Sequence, residues 1–508
     1  MEESRQSRKA KKPMPAPELD PFAGAAVMLR ALRDKQVSAV ELLDAHLRRI
    51  EHLNPALNAI VTLDLETARA RAAETDAARA RGEDGALLGL PLTIKDCIYV
   101  KGLPTTGGVP DRATILDADD SCLAARVRAA GAVIMGKTNV PPYAGDWQSA
   151  NPLFGCTNNP WDPARTPGGS SGGAAAALAA GLTPLEFGGD FGGSIRIPAA
   201  FCGVYGHKTS ETAVARSGHF PGANLPNSAL AMSVQGPLAR TAEDLELAFD
   251  VISGPDFGED VAWRLEIPPA RHQRLADFRV AILPPLAWLP VDHEITAALE
   301  GLAGTLSRAG ARVHEAMPEG FGDLRQYYKL FQSIMAAIVH AGFPERRRQE
   351  LAAKVRAGGD DLGNAWANGI VASAADYIGW FARREAYRAA YRDFFKQWDV
   401  LLAPVTMVNA FPHNYDLPMG ARTLAVNGSP VSYSLIPAYA GLCNLSGQPG
   451  TAFPAGRTGG GLPIGLQAIG PYLEDRTSIR FAALVAQEIG GFQPPPGYDA
   501  RKLDRDPT

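Results

Sequence analysis

Lys95, Ser170 and Ser194 are the residues of this 508-residue chain best suited by type and spacing to covalent chemistry. The two serines stand 24 positions apart in one glycine-dense run, from Gly168-Gly169-Ser170-Ser171-Gly172-Gly173 to Gly192-Gly193-Ser194-Ile195-Arg196. The lysine lies upstream, in Leu92-Thr93-Ile94-Lys95-Asp96. A serine hydroxyl becomes a useful nucleophile only when a neighbouring base takes its proton. Lysine can be that base once burial strips its charge, since only roughly 0.1% of a solvated lysine is neutral at about pH 7.5. Desolvation can bring its pKa down to about 7–8. Leu92, Ile94 and Ile98 supply the apolar flanks for this. Asp96 works against it if its carboxylate reaches the amine.

The second glycine pair has a role of its own. Phe191, Gly192, Gly193 and Ser194 offer consecutive backbone N–H groups, and glycine lets such a turn be tight and open to substrate. Amides aimed at the oxygen of a tetrahedral intermediate are worth about 10²–10³ in rate for each donor. Asp190 and Arg196 flank the run with opposite charges, either bracing it or forming a plain ion pair. A glycine–serine stretch alone reads equally well as a linker. The order Arg165-Thr166-Pro167, glycine run, alanine-rich helix at Ala174–Ala180 and second glycine pair argues for a built site.

Competing machinery is absent from the sequence. Gly131-Ala132-Val133-Ile134-Met135-Gly136-Lys137-Thr138 fits a phosphate-loop pattern, but its four inner residues are apolar and read as a strand. Pro141 and Pro142 block the helix that such a loop needs. The nine histidines and five cysteines show no His-x-x-x-His or Cys-x-x-Cys spacing, so a metal hydrolase lacks its ligands. Cys202 reads as a packed small residue and His207 as structural. Five irregularly spaced cysteines fit reduced thiols. A net charge of −4 with 20% charged residues gives no case for nucleic acid or membrane binding. Residues 1–17 are polar and basic without an apolar core, so they read as a disordered tail and the protein as soluble and cytoplasmic.

The surrounding elements predict α/β organisation. Ser38 and Glu41 have capping-box spacing, followed by Val40, Leu43, Leu47 and Ile50 on one helical face. Leu65–Arg81, Ser121–Ala130, Glu294–Arg308 and about Asp475–Ile489 read as further helices. Leu92–Ile94, Ala132–Met135, Val280–Leu283, Val400–Ala403 and Pro463–Ile469 read as strands. Residues 321–398 are helical and aromatic, an insertion over the sheet whose rings form helix core or line a pocket.

Gly168–Ala180 followed by Gly188-Gly189-Asp190-Phe191-Gly192-Gly193-Ser194-Ile195-Arg196-Ile197-Pro198-Ala199-Ala200-Phe201-Cys202-Gly203 resembles the signature region of the amidase signature family. The similarity runs from about Leu88 to Lys208 and resumes at Asp399–Pro404 and Asn444–Pro471. Phe191 stands where threonine is frequent, and Lys208-Thr209-Ser210 where Lys-Pro-Thr is usual. The resemblance implies one α/β domain over residues 18–492, with a mixed sheet core covered by helices on both faces. It places the core signature at about 88–208, with a proline-rich tail at 493–508.

It further implies Ser194 as nucleophile, Ser170 as bridging serine entered by a cis peptide, and Lys95 as terminal base. Ser171, Asp190 and Arg196 are expected to support them, with Phe191, Gly192, Gly193 and Ser194 as the oxyanion hole. No metal or cofactor is required. The expected activity is hydrolysis of small carboxamides, esters or carbamates through an acyl-enzyme. Tyr143 and Trp147 are expected at the pocket wall, together with the Tyr433–Tyr439 region, favouring apolar or aryl amides. The alternative is the glutamine-hydrolysing component of a transamidation complex acting on aminoacyl-tRNA. The expected partner is a small amide, with neither nucleic acid nor membrane, and a homodimer is left open.

Overall fold

Leu92 and Ile94 are wholly buried, and the strand they nucleate, Pro91–Lys95, lies in the interior of a sheet. The computed structural model describes residues 20–220 and 231–498. Eleven of its strands form one mixed sheet. In order across the sheet these are Ile60–Leu63, Val133–Thr138, Pro91–Lys95, Leu185–Asp190, Val234–Ala239, Tyr205–Lys208, Gly450–Arg457, Pro463–Ile469, Val400–Pro404, Arg279–Ile282 and Arg312–Glu315. Pro91–Lys95 runs parallel to both neighbours, whereas the middle of the sheet is antiparallel. Parallel pairing puts the end of the Lys95 strand beside the end of the strand that leads into Phe191.

Helices cover the two faces. Gly172–Ala179 and Arg196–Cys202 pack on one side, Ala242–Ile252 and Asp475–Ile489 on the other. Gly172–Ala179 is built almost entirely of alanine and glycine and is fully buried, so it lies close against the sheet. On the opposite face His207 links sheet to helix. Its Nδ1 lies 2.9 Å from Thr451 Oγ1 and its Nε2 3.0 Å from Asp475 Oδ1, all buried. His207 is thus part of a packed polar core.

The capping box at Ser38 and Glu41 is present, with Ser38 Oγ accepting from Glu41 N–H at 3.1 Å. The buried face of that helix is rotated from the expected one. Leu42, His46 and Arg49 are buried beside Leu43 and Ile50, while Val40 and Leu47 are half-buried. Arg49 accounts for the rotation, because its guanidinium reaches the carbonyls of Ala180 and Gly181. Six of the eleven strands of this sheet are unread in the sequence: Ile60–Leu63, Leu185–Asp190, Tyr205–Lys208, Val234–Ala239, Arg312–Glu315 and Gly450–Arg457.

Residues 321–398 hold four helices, Leu324–His340, Glu345–Gly358, Asp361–Ile370 and Ala374–Gln397. Phe321, Tyr327, Tyr387 and Tyr391 form one aromatic cluster there. The expected N-terminal tail lies outside the described residues, as do residues 499–508 of the C-terminal one. The remainder of that tail packs on the body, with Pro495 buried and Tyr498 C=O accepting from Arg49 Nη2 at 3.0 Å. Among the described residues no helix is long and apolar enough to cross a membrane.

Candidate active site

Lys95 closes its strand, and Ser170 sits in the turn that opens the helix Gly172–Ala179 above it. Lys95 Nζ donates to Ser170 Oγ at 2.7 Å and lies 3.5 Å from the Gly189 carbonyl. The peptide entering Ser170 is cis. A Cβ on Gly169 would lie 2.6 Å from Gln148 N and from Trp147 C, so glycine is needed for the two chains to pass.

Burial lowers the pKa of Lys95, against the pull of Cys97, Asp190 and Glu186. Glu186 pulls weakly, because burial pushes its own carboxyl up to about 8 despite hydrogen bonds from Thr138 and the Phe187 N–H. At neutral pH it is therefore mostly an uncharged acid. Asp96 is turned the other way, as expected of the next residue along an extended chain. Its carboxylate accepts from Thr106 N–H at 3.1 Å and from the Thr106 hydroxyl, and lies 3.7 Å from Lys137 Nζ. The charge that threatened to hold Lys95 protonated is thus matched by a different lysine. Lys137, the lysine of the phosphate-loop look-alike, is buried in its strand and also donates to Ile98 C=O and Thr105 Oγ1, each at 2.7 Å.

Ser194 follows the strand Leu185–Asp190, and backbone pairing brings it alongside. The Ser171 N–H donates to Ser194 C=O at 3.1 Å. Ser194 is 9% exposed against 1% for Ser170, so it is the more accessible of the two serines. Ser171 Oγ is buried without a hydrogen-bond partner. Gly193 adopts φ +93°, and a Cβ there would meet Ile197 Cδ1 at 2.6 Å and Ala440 Cβ at 2.8 Å.

Asp190 and Arg196 do more than pair. Asp190 accepts from Gly193 N–H at 2.9 Å and from Ile195 N–H at 3.2 Å, holding the turn around Ser194. Arg196 donates to both Asp190 oxygens at 3.0 Å and reaches Gln467 Oε1 and Asn444 Oδ1 at 2.6 Å each. Burial pushes the Asp190 carboxyl up, but the Arg196 guanidinium and Asn444 more than offset it and hold it well below the usual range. The Gly193 N–H, expected at an oxyanion, is thus engaged by Asp190. Phe191, Gly192 and Ser194 are the other donors of the run.

Apolar side chains wall this turn. A Cβ on Gly192 would come within 3.0 Å of Met335 Cε and 3.5 Å of Phe331 and Pro437. Trp147 Nε1 donates to Gly192 C=O at 3.0 Å, and its ring packs 5.9 Å from Tyr433. Trp147 is thus packed against the turn that leads into Ser194. Tyr143 is 60% exposed with φ +52°, turned to solvent. Phe331 and Met335 escaped sequence reasoning beyond the general idea of an aromatic insertion, since nothing local ties them to Gly192. Cys202 is buried, with burial pushing its thiol up. Among the described residues no group of three or more His, Cys, Asp or Glu is placed to hold a metal.

The amidase family model matches residues 41–479. A glutamyl-tRNA(Gln) amidotransferase chain of Synechococcus sp. is 34% identical over 473 residues, covering 89% of this chain and 93% of that protein. Indoleacetamide hydrolase of Bradyrhizobium diazoefficiens is 35% identical over 468 residues, covering 91% and 85%. The structure of a bacterial aryl acylamidase of the amidase signature enzymes superposes with a TM-score of 0.77 at 27% identity, covering 96% of this chain and 99% of that one. With a buried lysine on a serine, a second serine beside them and this match across nearly the whole chain, the protein belongs to the amidase signature family and is an amide hydrolase.

Proposed function

We propose that this chain hydrolyses small apolar or aryl carboxamides through a Ser194–Ser170–Lys95 relay and an acyl-enzyme. The observation that carries this is the 2.7 Å contact from Lys95 Nζ to Ser170 Oγ in a buried setting that lowers the lysine pKa. Neutral Lys95 takes the Ser170 proton as Ser170 takes that of Ser194, and Ser194 Oγ attacks the acyl carbon. The N–H groups of Phe191, Gly192 and Ser194 face the oxyanion. The proton returns to the departing amine, the C–N bond breaks, and water releases the acid by the reverse route. The apolar wall of Phe331, Met335, Pro437 and Trp147 at Gly192 supports an apolar acyl group. Esters and carbamates share the same tetrahedral oxyanion and are expected substrates too.

A second reading is favoured by the similarity to the glutamyl-tRNA(Gln) amidotransferase chain, 34% identical over 473 residues. In it the same relay hydrolyses glutamine for a partner chain. Glutamine presents a charged amine and carboxylate, and the apolar surroundings of Gly192 suit those ends poorly.

The test is release of ammonia or amine from aryl amides, aliphatic amides, carbamates and glutamine by the isolated chain, beside Ser194→Ala and Lys95→Ala. Serine-dependent turnover of apolar amides is expected. Lys95→Ala should lose about 10²–10⁴ in kcat/KM, the usual worth of a positioned base. Its residual rate should also lack the rise with pH that deprotonation of Lys95 gives the wild type. Turnover of glutamine alone would favour the second reading.

A further inference from the structure

The peptide joining Gly192 to Gly193 is held at both ends. Its carbonyl accepts from Trp147 Nε1 at 3.0 Å, and its N–H donates to Asp190 Oδ1 at 2.9 Å. Because a peptide is planar, fixing these two atoms fixes its orientation. The N–H groups of Gly192 and Ser194 lie in the adjoining peptide planes, each one Cα away, so this anchored peptide restricts where they can point. Asp190 is itself locked by Arg196. Trp147 has a brace of its own. Asp146 Oδ1 accepts from the Trp147 N–H at 2.7 Å and from the Tyr433 hydroxyl, and Asp146 Oδ2 accepts from Arg422 Nη1 at 2.6 Å. The Arg422 guanidinium lies 5.2 Å from the Tyr433 ring centroid, and that ring packs on Trp147.

We propose that Trp147 is a positioning residue for the oxyanion, acting through the Gly192 carbonyl and steadied by Asp146, Tyr433 and Arg422. This rests on the acyl-enzyme reading above. Its indole N–H turns the Gly192 carbonyl away from the reacting oxygen, so that the adjoining N–H groups stay aimed at it. Without that bond the carbonyl can swing toward the site and set a negative dipole where negative charge develops. The loss then falls on the transition state rather than on substrate binding. A mere pocket wall behaves in the opposite way, since a changed wall shifts ground-state binding.

Trp147→Phe removes the donor and keeps an aromatic ring in place. Its kcat should drop about 10- to 100-fold, at or below the cost of deleting an oxyanion donor, with KM within about threefold of wild type. Affinity for a boronic acid, which adds to Ser194 and presents a tetrahedral oxyanion, should fall in step with kcat. Affinity for the carboxylic acid product should hold. Tyr433→Phe, which frees one side of Asp146, should show the same pattern more weakly and decides the matter if Trp147→Phe folds poorly. An unchanged kcat, or a rise in KM and in product-acid Kd with boronate binding intact, overturns the positioning role. Wild type that neither turns over amides through Ser194 nor binds the boronate overturns the acyl-enzyme reading instead.

Discussion

Lys137 Nζ stands 3.7 Å from Asp96 Oδ1, with both side chains fully buried, and this pair leaves the neighbouring Lys95 facing Ser170. Two lysines on adjacent parallel strands thus have opposite assignments. One is matched with a carboxylate in the core; the other is left in a setting that favours its neutral form. Burial nonetheless draws Lys137 down and Asp96 up, so their pairing only partly offsets the loss of water.

Lys137→Met should therefore destabilise the protein, because it strands Asp96 in the interior. The expected loss is about 3 kcal/mol, the low end for breaking a buried pair, because the contact is long. Adding Asp96→Asn removes the stranded charge, and the double variant should recover part of that loss in a denaturant titration. If Lys137→Met unfolds at the wild-type midpoint, the pair has no structural weight.

Glu186 offers a test of charge control near Lys95. Its carboxyl is raised from 4.5 to about 8, so the folded state holds this proton more tightly than the unfolded chain. Its contribution is fully present below about 4.5, declines as pH rises through about 8, and is flat above. Glu186→Gln carries no such dependence. Relative to wild type, the variant's Tm should climb from pH 5 to about pH 8 and then level off. Amide turnover at pH 7 should be little changed, since glutamine mimics the neutral acid already there. A large loss of kcat at pH 7 would mean that Glu186 works there as a carboxylate.

Much of the site was legible because its parts are local in the chain. Ser170, Ser171 and Ser194 lie within one glycine-rich stretch, and Lys95 ends an apolar run that reads as a strand. Fold class followed from alternating short apolar runs and helices. The strands Leu185–Asp190 and Val234–Ala239 were not legible. Gly188, Gly189, Gly236 and Pro237 dilute their β-forming residues, and burial of both faces erases the polar–apolar alternation that marks a half-exposed strand. Nor does any local pattern tie Phe331 and Met335 to Gly192, or Asp96 to Lys137. Those relations exist only once distant segments pack. The rotated face of the first long helix had the same cause, since Arg49 is buried for carbonyls more than 130 positions away.

Asp190 both pairs with Arg196 and holds the turn that carries Ser194, and its removal should separate the two readings of the Asp190–Arg196 pair. A plain ion pair would affect folding alone. Here the same carboxylate also accepts from Gly193 and Ile195 N–H, so it shapes the turn that carries Ser194. Asp190→Asn puts an amide where Arg196, Asn444 and two backbone groups all donate, leaving donors facing donors and Arg196 uncompensated. Loss of about 3–5 kcal/mol is expected, as for a broken buried pair, together with a fall in kcat larger than the change in KM. The wild-type pH profile has a matching sign. The folded carboxyl lies below its ordinary 3.8, so its stabilisation is complete above that value and is lost as pH falls below it. Asp190→Asn should abolish that acid-side component while remaining measurably folded at pH 7. An active, slightly destabilised variant would reduce Asp190 to a structural anion. A folded variant with kcat lost makes it the anchor of the oxyanion turn.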